Sequence, residues 1–140
     1  MNMPTRFPYL PVASGRGDAA LLPLLPLELR FHSGPFVAAH GLIDSGATVN
    51  VLPYSIGITL GAEWDAQTTL VTLTGSFGNQ EARALLAEAK IAVFPPVRLV
   101  FAWSKSDQVP LLLGQVNFFD VFDISFHRSA RIFEIEYPRG

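Results

Sequence analysis

Apolar residues in this chain fall in short runs broken by glycine and proline, and several of the runs alternate. Phe122, Ile124 and Phe126 alternate with Asp123, Ser125 and His127, and Phe133, Ile135 and Tyr137 alternate with Glu134 and Glu136. A period of two is the signature of a strand with one face on a core, because successive side chains point to opposite faces. Residues 127–130 are then the turn joining the pair. Upstream, β-branched and aromatic runs bounded by turn residues predict strands at 7–12, 24–31, 36–43, 48–52, 68–74, 82–94, 98–103 and 110–113. Two stretches depart from the pattern. "YSIGITLG" follows Pro53, a residue suited to a helix start, and ends at Gly61, so it predicts a short helix; "GQVNFFDVF" at 114–122 predicts another. The chain reads as all-β, a barrel or a sandwich.

Composition narrows this further. At 140 residues with 49% hydrophobic content the chain suits one domain with one continuous core, with residues 1–20 as an amino-terminal extension. Ten basic and twelve acidic residues give a net charge of -2 with no long run of either sign, so nucleic-acid and anionic-membrane partners are not expected. Cysteine is absent, which removes disulfides and thiolate chemistry, and His32, His40 and His127 have no ligand spacing, so neither metal nor cofactor is expected. The most apolar window, "AALLPLLPLEL" at 19–29, is too short to span a bilayer and is broken by Pro23, Pro26 and Glu28. No secretory signal is read at the amino terminus, and a cytoplasmic location is expected. The Arg-Gly-Asp at 16–18 reads as a glycine-flanked loop.

Candidate chemistry centres on "HGLIDSGATVNVLP" at 40–53. An apolar strand runs into Asp44, the small residues Ser45, Gly46 and Ala47 follow, and a second apolar strand leaves at once. Asp-Ser-Gly by itself is an ordinary turn, since an Asp side chain readily accepts a backbone N–H two residues on. A carboxylate at the end of an apolar strand, however, needs hydrogen bonds or a shared proton. Far down the chain, "VPLLLGQVNFF" sets three leucines before Gly114 and a helical turn.

Together, "LIDSGATVNVLP" and "LLLGQVNFF" resemble the two motifs of the retropepsin-like aspartic proteases, in the family's order, over residues 36–137. The resemblance implies a single-domain closed acid-protease β-barrel with one or two short helices, and an aspartic endopeptidase activity. It makes Asp44, Ser45 and Gly46 the catalytic triplet, and Leu42, Ala47, Val51 and Leu112 the lining of substrate pockets. It also makes "TLTGSFGNQEA" at 72–82 a flap over the cleft, with Gly75 and Gly78 bracketing Ser76 and Phe77. Such enzymes need two carboxylates. Asp18, Asp65, Asp107, Asp120 and Asp123 are not followed by Ser-Gly or Thr-Gly, so the resemblance implies a homodimer with Asp44 from each subunit, acting on a peptide or protein substrate.

Two departures set an alternative beside this reading. Viral members often carry an acid where Thr48 stands and an arginine where Gln115 stands. Losing both charges strands neither, but it removes an ion pair that supports the viral dimer. The alternative is an inactive retropepsin-like module for peptide binding or dimerisation; a β-barrel carrier unrelated to proteolysis is a third. Viral members also weave their termini into an interfacial sheet, for which "RIFEIEY" at 131–137 is the carboxy-terminal candidate, while the amino-terminal segment joins that sheet or wraps the barrel.

Overall fold

A computed structural model describes residues 3–13, 19–73 and 80–138. Its centre is a closed barrel of six strands. These are β4 (Leu24–Arg30), β5 (Val37–Ile43), β6 (Asn50–Leu52), β8 (Gln80–Lys90), β9 (Val97–Ser104) and β10 (Leu112–Leu113). They pair in the order β4-β5-β10-β6-β9-β8, and β8 pairs back onto β4 to close the ring, while β7 (Leu70–Leu73) extends β8 on the outside. Closure leaves no open edge among the six. The expected closed barrel is therefore the observed one.

The barrel is built from two similar halves. The β4–β5 hairpin turns at His32 with φ 53° and the β8–β9 hairpin turns at Ala92 with φ 47°, and each turn is closed by the same bond, Gly34 N–H to Phe31 O and Phe94 N–H to Ile91 O, both 3.1 Å. Leu112 of β10 then pairs in parallel with Leu42 of β5, as Val51 of β6 pairs in parallel with Ala102 of β9. Leu112 and Val51 also face each other, antiparallel, where the two halves meet.

One side of the barrel is filled by aromatic packing. Helix α1 (Tyr54–Thr59) ends at Gly61, which takes φ 93° as the residue after a helix often must. Gly57 of this helix lies on the Trp103 indole so closely that a Cβ would sit 2.2 Å from it. The indole is fully buried, stacks on Tyr54 at 5.6 Å and meets Trp64 edge-on at 5.1 Å, and its N–H donates to Tyr54 O at 3.1 Å. Trp64 belongs to a 3-10 turn, Trp64–Ala66, whose carbonyl accepts from Arg83 at 2.7 Å. Burying an indole with its N–H satisfied contributes about 2–3 kcal/mol from the apolar ring alone.

Below the barrel, β1 (Thr5–Pro8), β11 (Asp123–His127) and β12 (Ile132–Glu136) form a separate sheet in the order β1-β12-β11, all antiparallel. Its inner face carries Phe133 and Ile135, both fully buried, with Phe7 stacked on Phe133 at 5.4 Å. A short helix, α2 (Phe118–Val121), leads into β11. The single strand expected over 7–12 is two. Tyr9 turns inward to a buried site, its N–H bonding Arg131 O at 2.9 Å, and the chain resumes as β2 (Leu10–Ala13), which pairs with β3 (Ala19–Leu22). Among the described residues no helix is long and apolar enough to cross a membrane.

Candidate active site

Strand β5 ends at Ile43, and Asp44 follows as the first residue outside it, half-buried, with Ser45 and Gly46 exposed beyond it. Three bonds define the loop. The Gly46 N–H donates to Asp44 Oδ1 at 2.9 Å, the Ala47 N–H donates to Asp44 O at 3.1 Å, and the Asp44 N–H donates to Leu113 O at 3.0 Å. The first is the local Asx bond that the sequence suggests; the third fixes the base of the loop to β10, in the second motif. The carboxylate therefore has one oxygen oriented by the backbone and the other free of protein donors among the described residues.

Gly114 makes the close junction possible. A Cβ there would lie 2.6 Å from Val49 O and 2.7 Å from Ala47 O, too close for any side chain, so only glycine lets the second motif pass behind the first. Beyond it, the Gln115 N–H donates to Ala47 O at 2.9 Å and the Val116 N–H to Thr48 O at 3.0 Å. The Gln115 side chain reaches further, Nε2 donating to Ser45 O at 2.7 Å. Gln115 thus holds the Asp-Ser-Gly loop through a neutral bond from the residue that directly follows Gly114.

A buried asparagine that no sequence motif marks completes the junction. Asn50 is fully buried; its Oδ1 accepts the Gly114 N–H at 2.8 Å, and its Nδ2 donates to Val100 O at 3.0 Å and to Asn117 Oδ1 at 3.1 Å. Asn117 in turn accepts the Val100 N–H and donates to Arg98 O, each at 3.0 Å. The two asparagines tie the first motif, the second motif and β9 into one network. A polar residue inside an apolar strand reads as solvent-facing unless its distant partners are known.

The floor beneath Asp44 is apolar. Val51, Leu73, Ala82, Ala102, Val109 and Leu112 form a buried cluster distinct from the main core, with Leu42, Ala47 and Val49 packed against its rim. Leu42, Ala47, Val51 and Leu112, expected as pocket residues, are thus together: Leu42 and Ala47 half-exposed, Val51 and Leu112 buried in the protomer. Leu73 and Ala82 belong to the arms of the hairpin β7–β8, paired from Leu70↔Arg83 to Leu73↔Gln80, so this hairpin rises from the edge of the floor. Gly75, Ser76, Phe77 and Gly78 lie outside the described residues.

No protein-family model matches this sequence, and no curated protein matches it. Solved structures do. One is the crystal structure of a retropepsin-like aspartic protease from Rickettsia conorii, 13% identical, with 98% of this chain and 96% of that chain covered at a TM-score of 0.62. The chain has the retropepsin-like fold. The likeness spans nearly the full length of both proteins, so the Asp-Ser-Gly loop, the Leu-Leu-Gly junction and the arms of the β7–β8 hairpin all lie on a retropepsin-like fold. Among the described residues no group of three or more His, Asp or Glu side chains is placed to hold a metal ion.

Proposed function

We propose that this chain is an aspartic endopeptidase of retropepsin type, its two carboxylates supplied by Asp44 of each subunit in a homodimer, with a peptide or protein as substrate. One observation carries the reading: on a retropepsin-like fold, Asp44 leaves a strand end with Oδ1 fixed by the Gly46 N–H and its loop sutured to the second motif through Leu113 and Gln115.

In this reading two Asp44 carboxyls close together share one proton, since both cannot ionise cheaply. The ionised one takes a proton from a water, the resulting hydroxide forms a bond to the peptide carbonyl carbon, and the other Asp44 gives its proton to the carbonyl oxygen. The tetrahedral diol then breaks its C–N bond as the Asp44 that took up the water proton gives it to the leaving nitrogen and the other Asp44 takes a proton back from a diol hydroxyl, which restores the shared proton. Ser45 bonds across the axis to keep the two loops level, and Gly46 supplies the N–H that orients each carboxylate. The substrate lies extended between floor and flap, with Gly75, Ser76, Phe77 and Gly78 closing over it. Leu42 and Ala47 line the pockets directly and Val51 and Leu112 form their base, so apolar side chains are favoured beside the scissile bond.

Asp44→Asn tests this: cleavage of a mixed peptide library from acid to neutral pH is expected in the parent and absent in the variant, and cutting retained by the variant removes the mechanism. A second reading is an inactive peptide-binding or dimerisation module. It draws on the neutral Thr48 and Gln115, because Gln115 spends its amide on its own chain's Ser45. Peptide binding without cleavage at any pH, in a protein that sediments as a monomer, favours it.

A further inference from the structure

The lower sheet is complete on one side and open on the other. Strand β12 is central, bonded to β1 along one edge and β11 along the other, so the carboxy-terminal strand expected to meet a partner has no edge to offer. Two edges are left. That of β1 is bounded by Pro4 and Pro8, which lack the N–H a further strand needs, the usual way in which an edge is protected. The edge of β11 has no proline over Asp123–His127. On its inner face Phe126 lies opposite the fully buried Phe133 yet is itself 42% exposed, so the apolar face stops short of its own rim.

The five residues of β11 are complementary to themselves. A two-fold axis through Ser125 pairs all five antiparallel: Ser125 with its copy, Ile124 with Phe126 of the copy, and Asp123 with His127 of the copy. The apolar pair then falls on the inner face, and Asp123 beside His127 of the copy on the outer one. Within one chain Asp123 stands opposite Glu136, like against like, and has no ion pair among the described residues; His127 is held 2.9 Å from Glu134. Shifting the register by two residues loses paired residues and separates Asp123 from His127.

We propose that β11 is the surface on which a second copy of this chain docks, edge to edge about Ser125, joining the two lower sheets into one of six strands. The proposal rests on the homodimer reading above and names its contact. A dimer has one two-fold axis, so the axis must serve both β11 and Asp44. The connection is short: Gly114 sits behind the Asp44 loop, its carbonyl accepts the Phe119 N–H at 3.2 Å, and α2 leads straight into β11.

Because the natural chain has no cysteine, Ser125→Cys offers a clean test. Residues opposite each other on antiparallel strands approach within disulfide range. Under mild oxidation at micromolar protein, Ser125→Cys is expected to form a reducible covalent dimer about 100-fold or more faster than Arg6→Cys on the β1 edge, since pairing raises the effective thiol concentration to roughly millimolar. Phe126→Lys in the Ser125→Cys background is expected to abolish that advantage. Equal rates for the two cysteines, or faster linking at Arg6→Cys, overturn the proposal. Covalent dimer without peptidase activity removes the protease reading and leaves this interface standing; Asp44-dependent cleavage by a chain that does not link at Ser125→Cys does the reverse.

Discussion

Replacing Asn50 by alanine removes the one buried polar side chain that joins both motifs. The Gly114 N–H, buried with it, loses its acceptor and has no water to turn to, at a cost of about 1–3 kcal/mol. The other two bonds cost less. Asn117 Oδ1 keeps the Val100 N–H, and a carbonyl such as Val100 O has a second lone pair to engage. Adding the small cavity left by the amide, about 1 kcal/mol, the expected loss is about 3 kcal/mol. Asn117→Ala is the internal comparison: its bonds to Val100 N–H and Arg98 O lie where water can replace it, and the Asn50 amide that loses Asn117 Oδ1 keeps Val100 O, so a smaller loss of about 1–2 kcal/mol is expected. Urea unfolding followed by tryptophan fluorescence reads both, with Trp64 and Trp103 as reporters and an unchanged m-value as the condition for comparing midpoints. If Asn50→Ala costs no more than Asn117→Ala, burial does not set the strength of this junction and the argument from the orphaned N–H fails.

Gly57→Ala forces a methyl into the Trp103 ring, which Tyr54 and Trp64 prevent from moving; a loss of roughly 2–3 kcal/mol is expected, read by the same unfolding assay, and a neutral result shows that α1 can shift away. Gln115→Ala removes the bond to Ser45 O on an exposed loop, so stability should fall by less than about 1 kcal/mol. If Asp44 is catalytic, the same variant should lower kcat about threefold to tenfold with little change in KM, because it loosens the carboxylate rather than the pockets; a change confined to KM points to substrate contact instead.

Which parts were legible follows from where the physics is local. The β11–β12 pair could be read from its alternation because one face is polar and the other buried, and the bounds observed, 123–127 and 132–136, fall within one residue of the pattern's 122–127 and 133–137. The strand expected over 82–94 ends at Lys90 instead. Ile91 to Phe94 are as apolar as a strand, but Ala92 adopts a left-handed turn that its residue type does not announce. Ala19–Leu22 was hidden in a uniformly apolar window, and Tyr9 was hidden because its break serves tertiary packing. At the site, Asp44 and Gly114 carry recognisable motifs. Asn50 could not be identified, since its meaning lies in Gly114, Val100 and Asn117, all far along the chain. Gln115 showed only as a missing charge; its bond to Ser45 O depends on the fold bringing together residues 70 apart in the chain.

The two-halved barrel bears on the proposed pairing of Asp44 with its own copy, because the other half of the chain holds no matching carboxylate. The equivalence that matches His32 to Ala92 and Leu42 to Ala102 carries Asp44 onto Ser104. The local geometry is repeated there: the Ser106 N–H donates to Ser104 Oγ at 3.0 Å, as the Gly46 N–H donates to Asp44 Oδ1 at 2.9 Å. The chemistry is not repeated. Ser104 is fully buried and its hydroxyl donates to Gln80 at 3.1 Å, so the second half presents a satisfied neutral group where the first presents a half-exposed carboxylate. Placing an acid at 104 would bury an unpaired charge at a cost of several kcal/mol, so this half cannot take up the role without reopening the barrel end. For the aspartic endopeptidase proposed above, the second carboxylate would then come from outside the chain, and the fold leaves the Asp44 loop exposed at Ser45 and Gly46.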